Sequence, residues 1–228
     1  MFDELLAAYQ QLEPPGSDTW NPLNHEIELW HRVRLYLELT QALRLISKPV
    51  ETARVLDVGC GTGRSTRALL EFGVRPENVL AIDLRSSAIE YARGLNPAIS
   101  YRIISDFNSW PVEQFDLCIQ CTVFSSVRGF EARSALAQKM VTSVAEGGYV
   151  YWWDMLAAND FAGGDHLNPA SLFAALRVVF ARKVSLQPTI AEAIRSDLCR
   201  RFRGLFFLQD RVGFPLTHLS ALFQRPES

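Results

Sequence analysis

The sequence predicts an α/β fold, in which helices cover both faces of one largely parallel sheet. Two observations support this prediction: short apolar segments alternate with amphipathic ones from residue 54 onward, and a glycine-rich turn follows the first apolar segment. Such alternation is typical of right-handed βαβ crossovers, which build parallel sheets. The 228 residues, 48% of them hydrophobic, suffice for one sizeable core, so we expect a single domain spanning residues 1–228.

The first 48 residues are predicted to be helical and to precede the first strand. Apolar residues at helical spacing occur over 5–12 and again over 24–45, separated by Pro14-Pro15-Gly16. We expect residues 1–48 to form an N-terminal helical lid over a core made by residues 49–228.

Seven strands follow from the count of apolar segments after residue 54. They are predicted at 55–58, 79–82, 99–104, 115–122, 148–153, 183–186 and 218–223. Helices are predicted at 63–72, 86–94, 131–144 and 169–180, with helical turns across 191–207. The stretch 157–167, which contains Gly163-Gly164, is the best candidate for a mobile loop.

The strongest functional signal is the segment Asp57-Val58-Gly59-Cys60-Gly61-Thr62-Gly63, placed where the first strand turns into its helix. Glycine at alternate positions lets the backbone approach a ligand closely and adopt positive φ. Ligands of such sheets bind at the carboxyl ends of strands, so the location suits a cofactor. A dinucleotide fingerprint needs its third glycine at position 64, where this chain has Arg64, and this disfavours NAD and FAD.

Acidic residues also follow the next two strands. Asp83 ends the second strand, where a carboxylate can accept hydrogen bonds from both hydroxyls of a ribose. Asp106 follows the third strand, where a carboxylate can accept from an adenine amino group. The fourth strand runs through Cys121 into residues 122–127, which would line the reactive end of the site.

Each of these residues also has a purely structural interpretation. The glycines could form a tight turn, Asp83 could stabilise a helix N-terminus, and Asp106 could cap the turn that begins at Asn108. Cys121 is more typical of a small strand residue than of a nucleophile, because no basic sequence neighbour indicates a lowered thiol pKa.

Residues 54–156 resemble the core of class I S-adenosylmethionine (SAM)-dependent methyltransferases. The resemblance rests on the DxGxGxG loop, Asp83, Asp106-Phe107, the Phe-Asp-hydrophobic fourth strand and Glu146-Gly147-Gly148 before the fifth. It implies a Rossmann-like sheet of order 3-2-1-4-5-7-6 with strand 7 antiparallel. It also implies SAM as the cofactor and S-adenosylhomocysteine (SAH) as the product.

The resemblance further implies a set of cofactor-binding residues. These are Asp57, Gly59, Cys60, Gly61, Gly63, Asp83, Leu84, Asp106, Phe107 and Cys121. Two further segments, Tyr151-Trp152-Trp153-Asp154 near the end of the core and Thr217-His218-Leu219 beyond it, resemble methyltransferases of bacterial glycan, glycolipid and natural-product pathways. We therefore expect O-methylation of a sugar, glycolipid or secondary metabolite. N-methylation of a small amine, or a non-catalytic SAM-binding module, is the alternative.

Methyl transfer from a sulfonium depends mainly on in-line positioning, with a base only where the acceptor must lose a proton. We predict His166 and Asp154 as candidates for that base, because they follow the fifth strand, and His25 and His31 come after them. The acceptor pocket is expected from residues 20–31 together with 154–168.

Net charge and cysteine content limit the classes of partner and ligand that we expect. A formal net charge of -2 disfavours nucleic acid and anionic membranes. The four cysteines form no paired CxxC motifs, and no histidine lies nearby at ligand spacing, so no metal is expected. No basic leader precedes an apolar run, and no stretch approaches about 18 apolar residues. We expect a cytoplasmic monomer or homodimer without a membrane span that acts on a small molecule.

Overall fold

The computed structural model describes residues 6–7, 26–185 and 216–227. Within these ranges the strands are β1 (Val55–Val58), β2 (Val79–Asp83), β3 (Ser100–Ile103), β4 (Phe115–Cys121), β5 (Val144–Met155), β6 (Arg177–Val184) and β7 (His218–Gln224). The helices are α1 (Glu26–Leu43), α2 (Arg64–Glu71), α3 (Ser86–Leu95), α4 (Phe130–Ser143) and α5 (Pro169–Leu172). None of these helices combines the length and apolar character that a bilayer crossing requires.

All seven described strands belong to one sheet, in the order β3-β2-β1-β4-β5-β7-β6. The pairs among β1 to β5 are parallel, and β7 runs antiparallel to both β5 and β6. The predicted strand order and directions are therefore confirmed. In this arrangement the carboxyl ends of β1, β2, β4 and β5 meet at one edge of the sheet, together with the beginning of β7.

Helices cover both faces of the sheet, so β1 is buried throughout and β4 is buried along most of its length. Successive residues of β5 point to opposite faces: Tyr151 and Trp153 pack with α1 and α2, whereas Trp152 packs with α4. All three side chains are fully buried. The apolar residues on the two faces of the sheet therefore pack against helices, and the polar residues of the candidate site lie at the carboxyl edge.

Helix α1 lies along one face with its beginning at the carboxyl edge. Its apolar residues Leu35, Leu39 and Ala42 are fully buried in the core beneath it. Just after the helix, Ser47 shares a hydrogen bond of 2.8 Å with the Tyr149 hydroxyl near the start of β5. The opposite end of α1 thereby reaches the strand ends where a ligand of this fold binds.

The prediction of a helix over 169–180 is wrong beyond its first turn. Helix α5 ends at Leu172, and β6 begins at Arg177 instead of residue 183. The apolar stretch Val178-Val179-Phe180 pairs with β7, with Val178 opposite Phe223. Such β-branched and aromatic residues favour strands where a partner strand is present, and this tertiary pairing decides the structure. The predicted helical turns across 191–207 lie outside the described residues.

The segment predicted as a mobile loop forms a hairpin that is hydrogen-bonded to α4. Ala157 bridges to His166, and Gly163 and Gly164 make the turn at φ of +107° and +68°. The guanidinium of Arg133, which is 3% exposed, donates to the carbonyls of residues 127 and 162 and to the carboxylate of residue 165. These bonds tie the hairpin to α4.

Candidate active site

The glycine loop between β1 and α2 has a backbone that only glycine adopts readily. Gly59, Gly61 and Gly63 have φ of +65°, +54° and +78°, all in the left-handed region. A Cβ added to Gly59 would lie 2.4 Å from Cγ2 of Val123, which follows β4. The loop is therefore a cradle in which side chains are excluded by both backbone conformation and close packing.

Hydrogen bonds fix this loop to the end of β2. The Cys60 N–H donates to the Ile82 carbonyl at 3.0 Å, and the Gly61 N–H donates to Asp83 Oδ2 at 2.8 Å. The other oxygen of Asp83 accepts from the backbone N–H of Arg85 at 2.9 Å and lies 3.4 Å from its Nε. Asp83 thus joins the glycine loop to the start of α3, at the place predicted for the ribose.

Asp57 lies beneath the glycine loop and is fully buried. Its Oδ2 accepts hydrogen bonds from the hydroxyls of Ser65, at 2.8 Å, and Thr66, at 2.6 Å. Its Oδ1 is buried and has no hydrogen-bond partner among the described residues. Burial raises the pKa of this carboxyl to about 7. A buried carboxylate oxygen of this kind fits a cationic donor, which the amino group of SAM provides.

Asp106 lies on the surface in the turn after β3. Its Oδ1 accepts from the backbone N–H groups of Asn108 and Ser109, both at 2.8 Å. The bond from Ser109 is the main cause of the lowered pKa of this carboxyl. The capping interpretation therefore holds, while its contact with adenine stays a prediction. The neighbouring Phe107 is half-buried, with Nζ of Lys139 lying 5.7 Å from its ring centroid.

The end of β4 carries a strained residue. Thr122 has a φ of 59°, which is rare for a β-branched residue, and its N–H donates to the Trp153 carbonyl at 2.7 Å. Such strain clusters at functional sites. The half-buried Cys121 precedes it, and burial raises the pKa of that thiol, so it is a neutral thiol. Leu84, also half-buried, follows Asp83 at the neighbouring strand end.

The two candidate bases lie in different environments. Asp154 is fully buried, and its carboxylate accepts from the backbone N–H groups of Phe124 at 2.9 Å, Ser125 at 3.3 Å and Met155 at 2.9 Å. Burial raises the pKa of Asp154 to about 6. His166 is exposed on the docked hairpin. Asp154 thus holds the turn after β4, and the catalytic roles of both residues stay predictions.

A cluster of three rings at the carboxyl edge was not predicted. Nε1–H of Trp153 donates to Nε2 of His31 at 3.2 Å, and the His218 ring stacks on Trp153 at a centroid distance of 5.3 Å. From the sequence, His31 was predicted only as a secondary candidate for the base, and no role was predicted for His218. The antiparallel direction of β7 was the available signal, because it brings the first residue of that strand to the carboxyl edge. His25 and Trp20 lie outside the described residues.

The described ranges contain no group of three His, Cys, Asp or Glu side chains that could hold a metal ion.

Comparison with known proteins connects this geometry to an enzyme class. Residues 55–148 match the family described as a methyltransferase domain. No curated protein sequence is significantly similar to the chain. The matched segment runs from the start of β1 into β5, and it contains the glycine loop, Asp83, Asp106 and the end of β4.

Several solved structures share the fold at low sequence identity. The N-methyltransferase NodS from Bradyrhizobium japonicum WM9, in complex with SAH, is 19% identical over 98% of this chain and 99% of its own, with a TM-score of 0.67. A SAM-dependent methyltransferase from Mesorhizobium loti is 17% identical over 82% and 98%, with a TM-score of 0.55. A putative sarcosine dimethylglycine methyltransferase from Galdieria sulphuraria is 14% identical over 88% and 86%, with a TM-score of 0.58.

Residues 55–148, which contain the glycine loop and the buried Asp57, match the methyltransferase-domain family, and they lie in a sheet of order β3-β2-β1-β4-β5-β7-β6 that the similar methyltransferase structures share as a fold.

Proposed function

We propose that the protein transfers the methyl group of SAM to a hydroxyl oxygen of a small molecule, such as a sugar, glycolipid or secondary metabolite. The observation that carries the proposal is the glycine cradle above the unpartnered Oδ1 of Asp57. That oxygen suits the ammonium of the cofactor, and the loop of Gly59 and Gly61, which carries no side chains, suits the close approach of its amino-acid part. We assign Asp83 to the ribose hydroxyls and Asp106-Phe107 to the adenine.

When bound, SAM would supply a methyl group on a positively charged sulfur. The C–S bond would break as the acceptor oxygen forms the new C–O bond, SAH would leave as a neutral thioether, and the hydroxyl proton would pass to a base, for which His166 is the exposed candidate. The residues of this chain bind the cofactor and position the acceptor. The loop and Asp57 fix one end of the cofactor, while Val123 and Thr122 wall the side toward β4. The acceptor must lie in line with the leaving sulfur, and such positioning supplies most of the rate enhancement.

The acceptor pocket is proposed to lie between the beginning of α1 and the hairpin after β5. Glu28 of α1 forms an ion pair of 2.5 Å with Arg64, the residue directly after the glycine loop. This contact brings α1 to the cofactor loop and supports a covering role for the N-terminal segment. The hairpin supplies the opposite side, with His166 as the exposed candidate base. The protein would act as a monomer or homodimer in the cytoplasm.

N-methylation of a small amine is the second candidate. It is favoured by NodS, an N-methyltransferase, which aligns with 98% of this chain. The protein from Galdieria sulphuraria, a putative sarcosine dimethylglycine methyltransferase, points in the same direction. An amine and a hydroxyl place different demands on the site, because an ammonium must lose its proton before it can attack.

Carbon-13 methyl-labelled SAM tests both candidates. The protein is incubated with fractionated metabolites of the source cell, and labelled products are separated by mass spectrometry. The chemical shift of the transferred methyl carbon distinguishes oxygen from nitrogen. A labelled small molecule bearing an O-methyl group is the expected result, and an N-methyl product selects the second candidate. Cofactor binding without transfer, or transfer only to protein or nucleic acid, would overturn the proposal.

A further inference from the structure

His31, Trp153 and His218 meet at the carboxyl edge of the sheet, although α1, β5 and β7 are far apart in the chain. Ring centroids of the two histidines are 5.5 Å apart, and that of His31 is 5.8 Å from Trp153. Both histidines are largely buried, at 8% and 7% exposure. Trp153 also accepts the N–H of Thr122 through its carbonyl, so the ring cluster adjoins the reactive end of the cofactor site.

The hydrogen bond from Trp153 fixes which nitrogen of His31 carries the proton. An indole N–H can only donate, so Nε2 of His31 offers its lone pair. A neutral imidazole then carries its proton on Nδ1. Nδ1 is buried and has no hydrogen-bond partner among the described residues. His31 therefore presents an unpaired N–H donor, and it cannot serve as a base through Nε2 while the Trp153 bond is present.

The surroundings keep His31 uncharged. Burial is the largest cause of its lowered pKa, and the charges of Arg64, His218 and Arg32 act in the same direction. The ion pair with Glu28 balances the charge of Arg64. Burial also lowers the pKa of His218, to about 4. Both imidazoles are therefore neutral at pH 7, and this cluster offers an uncharged N–H donor that suits a hydroxyl oxygen.

We propose that Nδ1–H of His31 binds a hydroxyl oxygen of the methyl acceptor. The inference rests on the proposed methyl transfer, and it makes His31 an acceptor-binding residue. Oxygen suits this donor because a hydroxyl has two lone pairs, one for the hydrogen bond and one for attack on the methyl group. A neutral amine nitrogen has one lone pair, which a donor would occupy.

Two substitutions of His31 separate this role from packing against Trp153. In His31→Asn the amide nitrogen overlies Nδ1 and keeps the donor, whereas in His31→Gln the amide oxygen can reach the position of Nε2 and keeps the partner of Trp153. Acceptor binding through Nδ1 predicts that the glutamine variant loses more activity. A purely structural role predicts the reverse order, because only glutamine preserves the Trp153 bond.

The measurement uses the full-length protein with the acceptor fraction that the labelled-SAM assay identifies. For His31→Gln we expect kcat/KM for the acceptor to fall about 10- to 100-fold, and for His31→Asn less than about 3-fold. SAH affinity should stay within about 2-fold in both variants, and thermal unfolding confirms that both are folded. A nitrogen-15 spectrum of the wild-type imidazole with SAH should show Nδ1 protonated and Nε2 unprotonated.

The possible outcomes separate failure of this inference from failure of the proposed methyl transfer. If the wild type transfers methyl groups and the asparagine variant is as impaired as the glutamine variant or more so, the inference alone is overturned. A spectrum with the proton on Nε2 of His31 overturns it as well. If the wild type binds SAH and labels no small molecule, the proposed function fails, and the inference fails with it.

Discussion

The carboxylate of Asp83 accepts a hydrogen bond of 2.8 Å from the backbone N–H of Gly61, which ties the glycine loop to the end of β2. One side chain therefore positions the loop that is proposed to bind one part of the cofactor, and it is also the proposed acceptor for the ribose. Removal of the Asp83 carboxylate should therefore weaken cofactor binding in two ways, through the position of the loop and through the ribose hydroxyls.

Replacing Asp83 with alanine is expected to weaken SAH binding by roughly 1–3 kcal/mol, because the ribose hydroxyls and the Gly61 N–H lose a charged acceptor. Isothermal titration calorimetry measures the change. Asp116→Ala is a matched control, since Asp116 pairs with Lys48 at 2.9 Å at the opposite edge of the sheet. Unchanged affinity in Asp83→Ala together with a large fall in its melting temperature would make Asp83 purely structural.

Gly59→Ala should abolish cofactor binding and lower stability. The added Cβ would lie 2.4 Å from Val123 Cγ2, and the backbone is held at φ +65°. We expect a loss of unfolding free energy of roughly 1–3 kcal/mol in chemical denaturation. Gly94→Ala is the control, because nothing lies within 4 Å of its Cβ position. The double variant with Val123→Ala should recover part of the stability, and no recovery would mean that the contact does not cause the loss.

Asp57→Asn should stabilise the protein while it weakens SAH binding. Burial raises the pKa of Asp57 to about 7, so ionised Asp57 costs folding free energy at pH 8. The amide removes that cost, on the order of 4 kcal/mol at pH 8, and the gain should shrink as the pH falls toward the unfolded value near 4. Denaturation at both pH values measures it. A destabilised variant with unchanged SAH affinity would contradict the role assigned to Asp57.

Cofactor binding should release a proton near pH 6. The folded pKa of Asp57 lies above its unfolded value, so the carboxyl is mostly protonated at pH 6 in the free protein. An ammonium beside Oδ1 favours the ionised form and expels the proton. SAH affinity should therefore rise between pH 6 and pH 8. Calorimetry in buffers of different ionisation enthalpy counts the proton, and Asp57→Asn should release none.

Features set by local sequence could be predicted, and so could the strand order that the family resemblance implies, whereas other features set by distant contacts could not. The glycine loop follows from residue types at neighbouring positions, and its predicted place between β1 and α2 is confirmed. The helix predicted over 169–180 was wrong because Val178 and its neighbours take their structure from pairing with β7. The approach of His31 to Trp153 joins residues 122 positions apart, and no local pattern records it.

Calorimetric titration with SAH and with NAD tests the central claim most directly. Three features favour the sulfonium cofactor over a dinucleotide with its pyrophosphate. The loop glycines have left-handed backbone conformations, Oδ1 of Asp57 has no partner among the described residues, and Arg64 stands where a dinucleotide site has its third glycine. We predict a saturable heat of binding for SAH and for SAM, and none for NAD. Saturable binding of NAD with no heat from SAH or SAM would contradict the account.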